Sequence, residues 1–386
     1  MSGRLPGLPA AALALTAALS VADVRVSEGP VATAPRPIVY AWFPANLDDW
    51  STAGLDWSVL THVCFRAVIL QPDGTVRPSP QTTDARVQQL VEEAHAHGVK
   101  VCVLAWGTTA RNADRYLARC PERTVQSLLA YVQAHHLDGG NIDDETWRAV
   151  NEDAGGFNRW RVADFFHELR SVFKRTWPEY HLSWASPPVI SPEDRYGVAW
   201  PDYAAAAREL DALAIMAYAL CPPSIGWTGA DQPVRGGGFV GTHPRDVATV
   251  VADYAAATQG RKDTLLLGIN SLYGGWEWRC RKDSPHANII GRGRRLSPTD
   301  AAAGAAKWGR RWDPVQRAPW YVRRDGKDWR QAWYEDDESF AAKVALTREE
   351  GLGGIALWVV GGMDQPPTLF PTLARSLEAA PASPTR

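Results

Sequence analysis

Short runs of apolar and β-branched residues alternate with amphipathic stretches along the chain from Pro37 onward. The apolar runs are almost continuously hydrophobic, as expected for parallel strands that are covered on both faces. Alternation of such strands with helices predicts βαβ units joined by crossover helices. The predicted strands are 38–43, 61–70, 100–105, 137–142, 181–185, 212–217, 265–269 and 354–359. Eight strands of this kind predict an α/β fold, a closed (β/α)8 TIM barrel.

Helical periodicity fills the intervals between these strands. In the stretch 84–97, apolar residues recur at Val87, Leu90 and Val91, and Gly98 follows where a helix C-terminus favours glycine. The other predicted helices are 124–135, 159–174, 245–254 and 339–350. The interval between the seventh and eighth strands is longer than one helix requires and is rich in Trp and Tyr. It predicts an inserted aromatic-rich lobe, partly β-structured, within the same domain.

The first residues have the pattern of a targeting segment. Arg4 precedes an Ala/Leu run over 10–19, and small residues at 20–22 provide a cleavage site, which predicts a signal peptide over 1–22. The alternative, a short membrane anchor, is disfavoured because a spanning helix needs roughly 20 apolar residues. We therefore expect a secreted or periplasmic protein with a linker over 23–36, one barrel domain over 37–378 and a flexible tail over 379–386.

Composition narrows the classes of partner. The 386 residues carry a formal net charge of -2 and no basic run, so the sequence predicts no nucleic-acid partner. The five cysteines lack the spacing of a zinc site, and no metal is expected. In an oxidising compartment we expect a bridge between Cys221 and Cys280, both in predicted loops, while Cys64 and Cys102 lie in strands as core thiols.

Tryptophan is unusually frequent, with 18 residues of this type. Some of these indoles fill the core. Those in predicted loops favour a second interpretation, flat apolar platforms for the faces of sugar rings.

Acidic residues crowd the end of the fourth predicted strand, over 137–147. Side chains alternate faces along a strand, so Asn141, Asp143 and Glu145 share one face, roughly 6–7 Å apart, and Asp144 takes the other. At the carboxyl end of a barrel strand they would converge on a pocket. Repulsion from Asp143 and partial burial should raise the proton affinity of Glu145, which suits a general acid. The alternative is a solvated turn that caps the next helix.

The segment Asp138-Gly139-x-Asn141-x-Asp143-x-Glu145 resembles the DGxDxDxE signature of family 18 of the glycoside hydrolases, and its asparagine resembles the di-N-acetylchitobiase branch. Further segments extend the resemblance over nearly all of 37–375. They are Met216-Ala217-Tyr218, similar to the family's MxYD, Leu266-Leu267-Gly268-Ile269 with Tyr273-Gly274, the aromatic segments within 312–336, and Gly353-Gly354-Ile355-x-Leu357-Trp358.

The resemblance implies a retaining hydrolase that cleaves β-1,4 N-acetylglucosamine linkages in chitooligosaccharides or glycan chitobiose cores. The implied mechanism is substrate-assisted, an exception to the scheme with two enzyme carboxylates. Glu145 is the implied proton donor, Asp143 orients the 2-acetamido group as the internal nucleophile, and Tyr218 donates to the acetamido carbonyl.

The resemblance also implies binding residues and partners. Trp358 stacks beneath the sugar, Asn141, Met216 and Tyr40 contact the substrate, and Asp138 supports the site. No cofactor, no metal and no membrane span are expected, and the protein is expected to be a monomer. Its partner is an N-acetylglucosamine-containing oligo- or polysaccharide.

Departures from the family pattern leave alternatives open. Gly140 replaces an apolar residue, Asn141 an aspartate and Ala219 the last residue of MxYD, and Ala105-Trp106-Gly107 stands where many relatives carry SxGG. An endo-chitinase, a peptidoglycan N-acetylglucosaminidase and a non-catalytic chitin-binding lectin on the same fold are the alternatives. His62, inside an apolar strand, is interpreted as a core residue.

Overall fold

The computed structural model describes residues 36–107, 120–143, 160–188, 202–240, 243–362 and 365–378. The strands are β1 Ile38–Phe43, β2 His62–Leu70, β3 Val76–Pro78, β4 Lys100–Gly107, β5 Gly139–Asp143, β6 His181–Ser186, β7 Ala212–Ile215, β8 Phe239–Val240, β9 His243–Pro244, β10 Leu265–Asn270, β11 Gly275–Cys280, β12 Arg294–Leu296, β13 Arg311–Asp313, β14 Ala318–Asp325, β15 Asp328–Tyr334 and β16 Gly354–Trp358. The helices are α1 Asp84–Ala96, α2 Pro121–Ala134, α3 Trp160–Thr176, α4 Tyr203–Glu209, α5 Val247–Ala257, α6 Pro298–Trp308, α7 Asp337–Glu349 and α8 Leu369–Glu378, with a 3-10 turn at Lys262–Thr264.

Parallel strands close into a barrel. Their order is β1-β16-β10-β7-β6-β5-β4-β2, and β1 also pairs with β2, which completes the ring. The short β3 adds to β2 in the antiparallel direction. The predicted TIM barrel is therefore confirmed, together with every predicted barrel strand. No boundary differs by more than two residues, and β5, for example, begins at Gly139 and ends at Asp143, while the prediction placed it at 137–142.

Side chains of the barrel strands separate into two layers with a period of two. Val39, Ala41 and Phe43 of β1 belong to the apolar layer between the strands and the helices. The alternate residues Tyr40 and Trp42 belong to a second cluster inside the barrel, in which alanine and cysteine side chains predominate. Small residues are needed there because eight strands enclose just enough space for side chains to fill.

The start of β5 shows why the sequence has Asp138 followed by glycine. A Cβ atom on Gly139 would lie 1.9 Å from the carbonyl oxygen of His181, so β5 and β6 approach too closely for any side chain. Asp138 precedes the strand, and its Oδ2 accepts hydrogen bonds from the backbone of Val101 and from His95, each at 2.7 Å. Asp138 thus anchors the amino end of β5, which is the opposite end from Asp143.

An antiparallel sheet is inserted between β10 and β16, in the order β12-β11-β15-β14-β13. The predicted aromatic lobe is confirmed. Several of its indoles are covered by guanidinium groups, with Arg311 4.9 Å from the centre of Trp320 and Arg324 4.7 Å from that of Trp329. These tryptophans contribute to the packing of the lobe through cation–π contacts.

The predicted bridge between Cys221 and Cys280 is wrong, because both are free thiols. Cys280 lies in β11, and not in a loop, and its Sγ donates to the carbonyl of Lys282 at 3.2 Å. Cys221 packs against Gly229, where a Cβ would meet its Sγ at 3.3 Å. The predicted core positions of Cys64 and Cys102 are confirmed, since both are buried.

Within the ranges given above, no helix is long and apolar enough to cross a membrane. The predicted signal peptide and tail lie outside the described residues, as does all of the predicted linker except Arg36, so these boundaries stay predictions.

Two buried histidines meet inside the barrel near its amino end. The ring centres of His62 and His181 are 4.2 Å apart, and Tyr40 stacks on His62 at 5.7 Å. Burial and the neighbouring His181 lower the pKa of His62 to about 2, and burial and the charge of Lys100 lower the pKa of His181 to about 3. The predicted core position of His62 is confirmed, although its Nε2 has no hydrogen-bond partner among the described residues.

The histidine pair should make the fold sensitive to acid. An unfolded histidine titrates near 6.5, so the unfolded chain binds protons that the folded chain rejects. The free energy of unfolding therefore has its full value above pH ~6.5. It decreases as the pH is lowered further, by up to ~1.4 kcal/mol per pH unit for each histidine. Urea unfolding between pH 7 and 4.5 measures this slope. The variant His62→Gln/His181→Gln should flatten it, whereas His167→Gln, at a side chain that is 73% exposed, should not. Equal slopes in all three proteins would contradict the assignment.

Candidate active site

Asp143 is the last residue of β5 and lies at the carboxyl end of the barrel. Its neighbours in register are Trp106 on β4 and Ala185 on β6. Its exposed fraction is 9%, so the carboxylate is held largely away from water. Glu145, the predicted acid, lies outside the described residues, two positions further along the chain.

Asn141 lies one pleat below Asp143 and is fully buried inside the barrel. Its Oδ1 accepts from Trp42 Nε1 at 3.4 Å, and its Nδ2 donates to Ser183 Oγ at 2.9 Å. Ser183 in turn donates to the hydroxyl of Tyr40 at 3.4 Å. The amide is therefore fixed on both sides, and the position that carries an aspartate in many relatives is neutral here.

This network contains two residues that the sequence predicted as substrate contacts. Tyr40 and Asn141 are both 0% exposed in this structure, and their contact with substrate stays a prediction. Both alternate along their strands with residues of the outer layer. Their role in the structure is to hold one another and Ser183 beneath Asp143.

An aromatic wall borders the same end of the barrel as Asp143, on the side of β16. The rings of Tyr218 and Trp358 are stacked at 6.4 Å, and Trp42 meets Trp358 edge-on at 5.6 Å. Tyr218 and Trp358 are only partly buried, as a ligand platform requires. Met216 is 7% exposed and packs in the cluster beneath them. Tyr218, Trp358 and Met216 are therefore brought together, with Met216 as a supporting residue.

Arg66 is a residue of the mouth that the sequence did not indicate. Its guanidinium carbon lies 4.9 Å from the centre of the Trp358 ring, and Nη1 donates to the carbonyl of Pro44 at 3.4 Å. Burial lowers the pKa of Arg66, and the negative charge of Asp143 acts in the opposite direction, as does that of Tyr218 when it is ionised. Arg66 is thus a cation that interacts electrostatically with Asp143. The only signal was a charged residue within an apolar strand.

Trp106 was noted as a departure from SxGG but not as a site residue. It is 45% exposed and lies beside Asp143 in the register of β4 and β5. Gly140, another departure, faces the helices: a Cβ there would meet Leu128 at an ordinary 3.8 Å. The first departure adds an exposed indole to the mouth, and the second does not touch it.

An acidic strand end among aromatic side chains, at the mouth of a (β/α)8 barrel, is typical of the active site of a carbohydrate-cleaving enzyme. The model of the Glycosyl hydrolases family 18 matches residues 40–364, and the chain belongs to that family. The family that the sequence resembles is thereby confirmed.

Two curated relatives carry the name cortical fragment-lytic enzyme. That of Bacillus anthracis is 29% identical over 313 residues, and that of Bacillus cereus is 24% identical over the same length. The matches cover 78% of this chain and 65% of each relative, so the chain spans less than two thirds of their length. Neither is named as a di-N-acetylchitobiase, and that branch stays a prediction.

Solved structures share the fold. The chitinase of Chromobacterium violaceum has a TM-score of 0.69 at 17% identity, covering 89% of this chain and 100% of that one. The spore cortex-lytic enzyme SleL of Bacillus cereus has a TM-score of 0.66 at 18% identity, covering 88% and 74%. A chitinase of Cycas revoluta in complex with (GlcNAc)3 has a TM-score of 0.70 at 19% identity, covering 88% and 98%.

Restoring an aspartate at position 141 should destabilise this protein. The variant Asn141→Asp places a second carboxylate in a fully buried position near Asp143, which costs several kcal/mol when the group is charged. The same burial raises the pKa of the new carboxyl. The penalty should therefore be full at pH 7 and shrink as the pH approaches ~4, where the group is neutral.

The control is Asn141→Ala, which removes both hydrogen bonds of the amide without adding charge. Its penalty should not change between pH 4 and 7, and the two variants are compared with wild type by urea unfolding. Equal pH dependence in the two variants would show that the environment of position 141 tolerates charge.

Proposed function

We propose that this protein hydrolyses β-1,4 linkages of N-acetylglucosamine glycans with retention of anomeric configuration, by substrate-assisted catalysis. The observation that carries the proposal is the position of Asp143. It ends β5 at the carboxyl end of the barrel, the end at which Trp358 ends β16 across the ring and stacks with Tyr218, and it lies two positions before Glu145. Membership of the glycosidase family supports the reaction type.

In the proposed reaction, the acetamido oxygen of the substrate attacks the anomeric carbon while Glu145 protonates the departing glycosidic oxygen. Asp143 holds the acetamido N–H and offsets the positive charge of the oxazolinium ion that forms. Glu145 then takes a proton from water, and the water oxygen attacks the anomeric carbon from the face that the leaving group vacated. The bond between the anomeric carbon and the acetamido oxygen breaks, which restores the acetamido group and retains the β configuration. Tyr218 donates to the acetamido carbonyl, and Trp358 carries the apolar face of the sugar.

The glycan that carries this linkage is a separate proposal. The sequence resemblance favoured chitooligosaccharides or chitobiose cores, with chitin and peptidoglycan as alternatives. The name of the curated relatives, cortical fragment-lytic enzyme, supports peptidoglycan fragments. We infer that glycan strands containing N-acetylglucosamine are the substrate class and that fragments of peptidoglycan belong to it. Export from the cytoplasm, proposed from residues 1–22, would give access to such strands.

The variant Glu145→Gln should lower kcat by roughly 10²- to 10⁴-fold, the usual contribution of a general acid–base group, with little change in KM. The matched control is Asp144→Asn, the adjacent carboxylate that the strand pattern predicts on the other face, and it should keep full activity. Reporter-tagged chitobiose, a chitooligosaccharide series and purified peptidoglycan fragments are the substrates. NMR of the first product should show the β-anomer.

Three other results would contradict parts of the proposed function. Undiminished activity in Glu145→Gln would contradict its assignment as the acid. The α-anomer as first product would contradict the internal nucleophile. Binding of all three substrates without cleavage by the wild type would make the protein a lectin on this fold.

A further inference from the structure

Ala219 leaves the mouth without the carboxylate that MxYD would supply after Tyr218. A different carboxylate lies against this position. Asp231 Oδ2 accepts a hydrogen bond from the backbone N–H of Ala219 at 3.3 Å. Asp231 belongs to the loop after β7, and its own carbonyl accepts from Leu220 at 2.8 Å, so the two parts of the loop are held together.

The surroundings of Asp231 place it at the mouth of the barrel. Oδ2 also accepts from Asn270 Nδ2 at 3.4 Å, and Oδ1 accepts from Trp276 Nε1 at 3.4 Å. Asn270 is the last residue of β10 and lies in register with Trp358 of the aromatic wall. Trp276 belongs to β11, the first strand of the lobe. Asp231 therefore lies where the barrel, the lobe and the aromatic wall meet.

The neighbouring residue holds this part of the loop against β10. Gln232 is fully buried, its Nε2 donates to the carbonyl of Gly268 at 2.7 Å, and its Oε1 accepts from the N–H of Asn270 at 3.2 Å. Ala219 has a φ of 57°, in the left-handed region that costs an alanine energy. Strained backbone of this kind clusters at functional sites.

Asp231 has acceptor capacity left over. A carboxylate offers about four lone-pair sites, whereas the three described donors lie at 3.3–3.4 Å, beyond the usual 2.9–3.0 Å. Burial raises the pKa of Asp231, and its hydrogen bonds act in the opposite direction. A group that is only partly buried and loosely bonded gains from one further donor.

We propose that Asp231 takes the place of the missing MxYD carboxylate and accepts a hydrogen bond from a hydroxyl group of the bound N-acetylglucosamine glycan. The inference rests on the proposed function, because it names a contact to that substrate. It makes Asp231 a specificity-determining residue that discriminates for one hydroxyl. It also explains how a site without the usual aspartate keeps a carboxylate at this edge.

The test combines variants of Asp231 with substrate analogues that each lack one hydroxyl group, and it compares the KM of each combination. Asp231→Asn should raise KM on chitooligosaccharides roughly 10- to 100-fold, as expected for loss of a bond to a charged acceptor, with a much smaller change in kcat. On analogues that each lack one hydroxyl, the penalty should persist except on the analogue without the contacted group. A residue that only supports the fold would give the same penalty on every analogue.

Moving the carboxylate provides a second readout. Asp231→Ala/Ala219→Asp should recover part of the affinity lost in Asp231→Ala, because aspartate tolerates the left-handed backbone better than most residues. The matched control is Asp313→Asn, a buried carboxylate of the lobe that accepts the backbone N–H groups of Val315 and Gln316. It should leave the pattern over the analogues unchanged.

The outcomes separate the two proposals. A wild type that cleaves none of the glycans overturns the proposed function. An active wild type whose Asp231→Asn variant keeps its KM, or loses affinity equally on every analogue, overturns the role of Asp231 and leaves the proposed function intact.

Discussion

The buried amide of Asn141 connects the strands that form the mouth. It joins β1 through Trp42, β5 through its own backbone and β6 through Ser183. Buried polar groups are costly unless their hydrogen bonds are made, so these three strands are held in one arrangement inside the barrel. Asp143 extends from the next pleat of β5, and Trp42 also supports the edge of Trp358. The position of the carboxylate and that of the platform therefore depend on the same contacts.

The fold could be predicted because its signals are local and repeated. Nearly continuous apolar runs, such as Leu265–Asn270, are typical of strands in a parallel sheet with covered faces. Helices such as Asp84–Ala96 begin at a capping residue, here Thr83, and carry an apolar stripe. The acidic end of β5 was visible for the same reason, because charge is unexpected after a buried strand.

The remaining features depend on distances that a sequence does not contain. Tyr40 and Asn141 follow the inward period of two, but only the structure shows that both are fully buried in the barrel. Cys221 and Cys280 each gave a plausible bridge partner, yet each packs into a different part of the lobe. Asp231 lies 12 residues from Ala219 along the chain, within a loop whose course no periodicity predicts.

The mouth of this barrel carries one carboxylate on β5, at Asp143, where many relatives carry two. With a neutral amide at 141, Asp143 has no second carboxylate one pleat below it with which to share a proton, and Arg66 is a cation that interacts electrostatically with it. The same guanidinium lies over the Trp358 ring. A sugar that stacks on Trp358 would therefore also change the solvation of Arg66, and hence the strength of its attraction to Asp143. In this site, the aromatic platform and the carboxylate both interact with the same arginine.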